Sequence, residues 1–258
     1  MYPLEPGTSI LRPGDFLGYR EYVLDYIAAS IRDGVYARFS TLWSGTECDC
    51  YYFLPSTLSP TAPPSAYVRT LSQYFNQTQI SKVLNATTLY PYKTAPSKGG
   101  MSGAVLTLAR LLTDLAVLCP STYLAALQSN TTNSGHAYHV IFATGFGSPL
   151  TPNPGMCRGC VCHVDGLYWV FGTAETDGLY QPLSAQQAEV TREVMKRLTE
   201  MAWMGSPNYV GTEVLWEGYG GGNEIVVNVT ESVRHGYRGA QCNFIVNELG
   251  LVYGDGAY

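Results

Sequence analysis

The clearest periodic stretch runs from Ser102 to Leu118, where apolar residues recur at helical spacing behind Gly99-Gly100 and ahead of Cys119-Pro120. The pattern predicts an amphipathic helix over 102–118, closed by Cys119-Pro120, and a second helix over 121–128. Tyr22–Ile31 has apolar residues at 23, 24, 27, 28 and 31, again a helical period, and Gly34 stops it. Ser184-Ala185-Gln186-Gln187 has the capping-box pattern and opens a helix to Met204, ended by Gly205-Ser206-Pro207-Asn208. Shorter helices are expected at Tyr67–Tyr74 and Ser81–Tyr90. Arg38–Trp43, Ala137–Phe142, Glu224–Val229 and Cys242–Val246 read as strands, and the apolar run Leu167–Phe171 as a buried strand ending at Gly172. Gly45–Cys50 is a turn, and residues 1–18, 60–64, 144–154 and 218–222 read as loops or hairpins. Strands separated by helices predict an α/β fold. No repeat or linker divides the chain, so 1–258 is read as one domain segment.

Composition narrows the function classes. Of the 258 residues, 14% are charged, against about 25% on average. Tyr (20), Gly (27) and Pro (15) are abundant, which suits a folded chain with neutral polar loops. The net charge of −5 gives no case for nucleic acid or an anionic membrane. The best candidate for a membrane span, Met101–Cys119, is interrupted by Arg110 and Asp114, so no span is expected.

Four acceptor sequons begin at Asn76, Asn85, Asn130 and Asn228. With seven cysteines, they point to a secreted or secretory-pathway protein. The opening Met1–Gly7 has neither a basic nor an apolar segment of a signal peptide. The expectation is that the natural N-terminus is missing.

The candidate chemistry centres on His163, one of four histidines, on a loop beside the Leu167–Phe171 run. An imidazole in that setting suits a general base. Cys157-Arg158-Gly159-Cys160-Val161-Cys162-His163 also has the ligand types of a zinc site. No second Cys-x-x-Cys accompanies it, and an oxidising compartment favours disulfides, so no metal is expected. A metal-bound His163 would be lost as a base.

Around His163 a set of blocks becomes recognisable. Cys162-His163-(x7)-Phe171-Gly172 resembles the catalytic-histidine segment of type-B carboxylesterases and cholinesterase-like proteins. Leu42-(x2)-Gly45-(x3)-Asp49-(x3)-Phe53-Leu54 is similar to the turn carrying that family's acidic residue. Leu89-Tyr90-Pro91, Leu112-Thr113-Asp114-(x4)-Cys119-Pro120 and His136-Ala137-Tyr138-(x3)-Phe142 follow in the family's order. Met201-Ala202-(x2)-Gly205-(x1)-Pro207-Asn208, Trp216-(x2)-Tyr219 and Arg238–Phe244 complete the set. The resemblance covers about residues 40–246, leaving 1–35 as a poorly matched N-terminal region and 36–258 as the family-like part.

The resemblance implies the C-terminal portion of an α/β-hydrolase fold, a Ser-acid-His ester hydrolysis and no cofactor. His163 would be the base and Asp49 its orienting acid, with Glu47 the rival. It also implies a Cys119–Cys242 disulfide. Because that mechanism brings the two loops together, bridges between the Cys48/Cys50 turn and the Cys157–Cys162 loop are expected.

Other parts of the pattern are absent. No serine has Gly at both −2 and +2, the elbow that presents the nucleophile in this fold. Gly100-Met101-Ser102-Gly103-Ala104 comes closest, but it follows Asp49 and reads as a helix N-terminus. No His-Gly-Gly-Gly oxyanion segment exists. Gly166, Cys50 and Leu198 stand where the family usually has an acid, a glycine and a tryptophan. The chain is therefore expected to carry two of three triad members and a sheet left incomplete without an N-terminal half. Alone it should be inactive; once completed it would act on a small-molecule ester. The alternative is a non-catalytic, cholinesterase-like interaction domain of a secreted or surface protein.

Overall fold

Thr41–Thr46 (β1), Ala137–Phe142 (β2), Asn223–Val227 (β3) and Glu231–His235 (β4) form one mixed sheet in the order β1-β2-β3-β4. The first two pairings are parallel and β3–β4 is antiparallel. The computed structural model describes residues 25–34, 39–54, 58–98, 100–131, 136–145, 161–163, 165–176, 182–228 and 231–251. Among these, β1 has no partner strand on its outer side, so the sheet is not closed.

Parallel neighbours need long crossovers, and here helices supply them. Asp25–Arg32 (α1) precedes β1. Pro64–Leu71 (α2), Gln77–Asn85 (α3), Gly103–Thr113 (α4) and Cys119–Asn130 (α5) lie between β1 and β2. Asp165–Phe171 (α6) and Ala185–Met204 (α7) lie between β2 and β3, and Gly239–Asn243 (α8) follows β4. Trp169 of α6 and Val190 and Val194 of α7 pack with Val140, Phe142, Ile225 and Val227. Ala125 of α5 packs with Ala137 and Trp43. Helices on both faces leave β2 buried along its whole length, as a central parallel strand requires. This is the α/β architecture that the alternation of elements predicts.

The main departure concerns the long helix. It was expected to close at Cys119-Pro120, but α4, a π-type turn at Asp114–Leu118 and α5 run on from Gly103 to Asn130. Proline lacks an N–H and its ring collides with the carbonyl four residues back. The widened turn ends just before Cys119, and Pro120 falls in the first turn of α5, where its missing N–H is tolerated. The 28-residue helix is long and apolar enough to cross a membrane. However, 78% of its most apolar window is buried inside this fold, where it forms the core of the larger hydrophobic cluster.

Two expected strands are helical. Leu167–Phe171 belongs to α6, which begins with Asp165 and buries Tyr168 and Trp169 while exposing Leu167 and Phe171. Cys242–Val246 spans α8 and a π-type turn, Phe244–Glu248. A five-residue apolar run has no periodicity that separates the two states. β4 carries two charged residues and a histidine in five positions and gave no strand signal.

α7 follows its sequence closely. Ser184 and Gln187 form the reciprocal capping box, and Gly205 terminates the helix at φ 71°, a left-handed conformation that glycine adopts without strain. Ser102 is the N-cap of α4: its hydroxyl accepts from Val105 N–H and donates to the Ala62 carbonyl at 2.6 Å. It is a structural cap, as its small-residue surroundings suggested.

The Cys119–Cys242 disulfide joins α5 to α8 across 123 residues, with Cα atoms 5.3 Å apart. Closing so long a loop is worth about 4–5 kcal/mol in the chain-entropy account.

Candidate active site

β1 ends at Thr46, and the chain turns through Glu47 and Cys48 into a short 3-10 turn, Asp49–Phe53. The turn is fixed locally by Asp49, whose Oδ2 accepts from the Thr46 backbone N–H at 3.2 Å and the Thr46 hydroxyl at 3.1 Å. That leaves Oδ1 for a more distant partner. A carboxylate held by two donors before its partner arrives is already oriented, which lowers the entropic cost of the pairing.

The partner comes from the segment that leads into α6. Cys162 N–H donates to Asp165 Oδ2 at 3.1 Å, and Asp165 N–H donates back to the Cys162 carbonyl at 3.1 Å. Buried Asp165 thus pins the start of the helix and the residue before His163. Space is tight here: a Cβ on Gly145 would come within 2.6 Å of Asp165 Oδ2, so glycine is required at that position. Two backbone hydrogen bonds hold the turn against β2 and this loop, Glu47 N–H to the Phe142 carbonyl and Cys48 N–H to the Val161 carbonyl, both 3.0 Å.

These supports place His163 Nδ1 2.6 Å from Asp49 Oδ1. The Asp49 side chain is 9% exposed and that of His163 is 47% exposed. A carboxylate oxygen accepts, so Nδ1 carries the proton that faces Asp49. The hydrogen bond to Asp49 raises the His163 pKa above the ordinary histidine value. Partial burial opposes this, and the charge of Asp49 reinforces it.

Glu47, the rival acid, lies 3.4 Å from Arg110 Nη2 and accepts the Tyr237 hydroxyl at 3.4 Å. It is therefore engaged away from the imidazole, and the geometry selects Asp49 as the carboxylate beside His163.

Cys48 and Cys162 are both disulfide-bonded. Cys157 and Cys160, on which the expected bridges also depend, lie outside the described residues. Cys50 is a free, buried thiol whose backbone N–H donates to Thr113 Oγ1 at 2.9 Å. Burial first, then the charge of Asp49, pushes its pKa up. With Cys162 oxidised and His163 tied to Asp49, the zinc reading of that segment loses two of its ligands. No three His, Cys, Asp or Glu side chains among the described residues converge to hold a metal.

Sequence reasoning missed a second string of polar groups. Ser121 Oγ lies 2.9 Å from His139 Nε2, and His139 Nδ1 lies 3.1 Å from Glu224 Oε1. The partners sit 18 and 85 residues apart, a separation that carries no local signal. The His139 and Glu224 side chains are 0% and 1% exposed, so the string is sealed between α5 and the sheet. Of the four sequon residues, Asn76 caps α3, and all four are exposed.

An open mixed sheet covered by helices, with a histidine–carboxylate pair held beyond the carboxyl end of a parallel strand, defines an α/β-hydrolase-like protein. The family model described as the carboxylesterase family matches residues 28–245, and the chain belongs to that family. No curated protein matches it.

Proposed function

We propose that the chain supplies the base and the acid of a Ser-Asp-His carboxylic-ester hydrolase, with His163 as general base and Asp49 as its orienter. Membership of the carboxylesterase family supports ester hydrolysis as the general activity. The single observation that carries the finer reading is the 2.6 Å contact between His163 Nδ1 and Asp49 Oδ1. In this mechanism Nε2 takes the proton of an attacking serine and returns it to the departing alcohol. Asp49 fixes the tautomer and stabilises the imidazolium that forms.

The serine and the oxyanion donors have to come from a further segment, because no Gly-x-Ser-x-Gly elbow occurs in these 258 residues. Without them the attacking atom and the largest electrostatic contribution are both lacking. The 258-residue chain alone is therefore inactive, and a completing N-terminal segment makes it an esterase acting on a small-molecule ester. The open outer side of β1 is compatible with such a segment. The exposed asparagines of the four sequons support a glycosylated, secretory-pathway protein. The departures at Cys50, Gly166 and Leu198 favour, as the second reading, a non-catalytic interaction domain of the cholinesterase type.

The test is hydrolysis of p-nitrophenyl butyrate by the purified chain, with and without a co-expressed N-terminal segment carrying the elbow serine. Activity only in the completed protein, abolished by His163→Ala, is the expected result. Hydrolysis by the chain alone that His163→Ala removes overturns the incompleteness. A completed protein that retains its elbow serine yet hydrolyses no ester favours the interaction domain.

A further inference from the structure

A cavity remote from His163 in sequence lies between α7 and the segment 209–214, with Glu231 of β4 also lining it. Its volume is about 580 Å³, within the usual range for a small-molecule site. Arg197, 1% exposed, projects into this region from α7. Its guanidinium is already engaged. Nη2 donates to the Val214 carbonyl at 2.7 Å and pairs with Glu231 Oε2 at 2.9 Å, Nε lies 2.9 Å from Glu193 Oε1, and Nη1 donates to Asn208 Oδ1 at 3.4 Å. The charge of Arg197 is thus paired with the protein's own carboxylates, although its Nε makes no hydrogen bond, and that pairing argues against an anion site.

Glu231 supplies an unmet acceptor. The Glu231 side chain is 7% exposed, and its Oε2 takes both Arg197 and the Trp216 indole N–H, the latter at 3.1 Å. Its Oε1 is buried and has no hydrogen-bond partner. A buried carboxylate oxygen without a donor is costly, and a ligand N–H would relieve that cost. Burial also raises the Glu231 pKa, against the pull of Arg197.

The rest of the wall suits the same kind of ligand. Glu189, Glu193, Glu213 and Glu231 face Arg192, Lys196 and Arg197, leaving one negative charge in excess. Lys196 Nζ sits 3.4 Å from the centroid of the Tyr209 ring, so that cation is held on the ring face. Val190 and Val214 add apolar wall for an alkyl stem. We propose that this cavity binds an organic monocation, an alkyl chain ending in ammonium or guanidinium, with Glu231 Oε1 as the buried acceptor.

Such a head group can come from a free amine or from a Lys or Arg side chain of a polypeptide. Calorimetric titration of the whole chain with n-butylguanidinium and with the blocked peptide acetyl-Gly-Arg-Gly-amide separates the two sources. Saturable binding at a stoichiometry of one, weakened by added salt, is expected. The substitution Glu231→Gln should weaken it about tenfold. Because that variant also disturbs Arg197, Glu213→Gln on the exposed rim provides a second measure and should weaken binding severalfold with the fold unchanged. Tighter binding of the peptide assigns the site to a polypeptide side chain, and equal or tighter binding of n-butylguanidinium assigns it to a free amine. Absence of saturable binding by both probes, or affinities indifferent to both substitutions, overturns the proposal.

Discussion

The Cys48 backbone N–H donates to the Val161 carbonyl at 3.0 Å, joining two segments more than a hundred residues apart in the chain. One residue beyond Cys48 is Asp49, and two beyond Val161 is His163. The hydrogen bond between the main chains therefore sets the approach of the side chains, and the acid–base contact is built on backbone geometry. An imidazole positioned in this way should depend on its carboxylate for tautomer more than for place. Asp49→Asn in the completed enzyme is expected to lower kcat by about four orders of magnitude while leaving the fold intact. Glu47→Gln, which removes the charge opposite Arg110 but keeps an oxygen for Tyr237, should cost much less. Steady-state kinetics of the two variants checks this, and equal losses would show that Asp49 has no special role.

The raised His163 pKa makes a signed prediction about stability. A folded-state pKa above the unfolded value means that the folded chain holds the proton more tightly. That contribution is fully present below the ordinary histidine pKa of about 6.5 and is lost as pH rises through the raised folded value. His163→Gln removes it. The stability difference between wild type and variant, followed by urea denaturation, should shrink as pH increases through that window; a difference that grew with pH would contradict the assignment. In an isolated chain the same shift is visible as a downward move of the His163 titration in Asp49→Asn, measured by NMR.

Asp114 and Arg238 form the other demanding pair. Asp114 lies in the π-type turn of the long helix, is 1% exposed, and receives Arg238 Nε at 2.8 Å and the Tyr90 hydroxyl at 2.9 Å. Burial raises the Asp114 pKa while Arg238 draws it down. Arg238 reaches it from a left-handed backbone conformation, φ 68°, at the start of α8. Asp114→Ala leaves Arg238, whose side chain is 18% exposed, without its counter-charge and the Tyr90 hydroxyl without its acceptor. Asp114→Ala should destabilise the chain by about 3–5 kcal/mol, read from the shift in denaturation midpoint.

The Cys119–Cys242 disulfide ties the same two regions covalently. Paired Cys119→Ala and Cys242→Ala substitutions should cost about 4–5 kcal/mol in the chain-entropy account. The single variants should not be worse than the pair beyond the effects of a new thiol. Thermal unfolding of the three variants measures this, and a pair as stable as wild type would show that packing alone docks α8.

How much of this was legible in the sequence varied with the range of the signal. α7 was readable nearly to the residue, because Ser184, Gln187 and Gly205 act within one helical turn of each end. β2 was placed from an alternation over 137–142, although all six of its residues are buried. The continuity of α4 with α5 was not, since Pro120 is a strong local stop and only the widened turn before it, Asp114–Leu118, removes the conflict. Leu167–Phe171 and Cys242–Val246 were mistaken for strands because tertiary burial of Trp169 and Ile245, not local propensity, decides those segments. The His163–Asp49 pair, 114 residues apart, could not come from spacing. It was legible only through the ordered resemblance of surrounding blocks, and the fully sealed Ser121–His139–Glu224 string had no comparable guide.

That string contains the same kinds of group as a catalytic triad, and its burial argues that it has a different role. The Ser121 hydroxyl donates to the Leu118 carbonyl at 2.9 Å, within its own helix. With His139 0% and Glu224 1% exposed, no ester carbonyl reaches the oxygen. The string instead links α5 to the middle of the sheet. Ser121→Ala is therefore expected to leave ester hydrolysis by the completed enzyme unchanged and to lower stability by about 1 kcal/mol, the usual value of one internal hydrogen bond. An organophosphate reagent should label the supplied elbow serine and leave Ser121 unmodified in peptide mass spectra. A phosphorylated Ser121 peptide, or loss of turnover in Ser121→Ala, would move the catalytic assignment from His163 to His139.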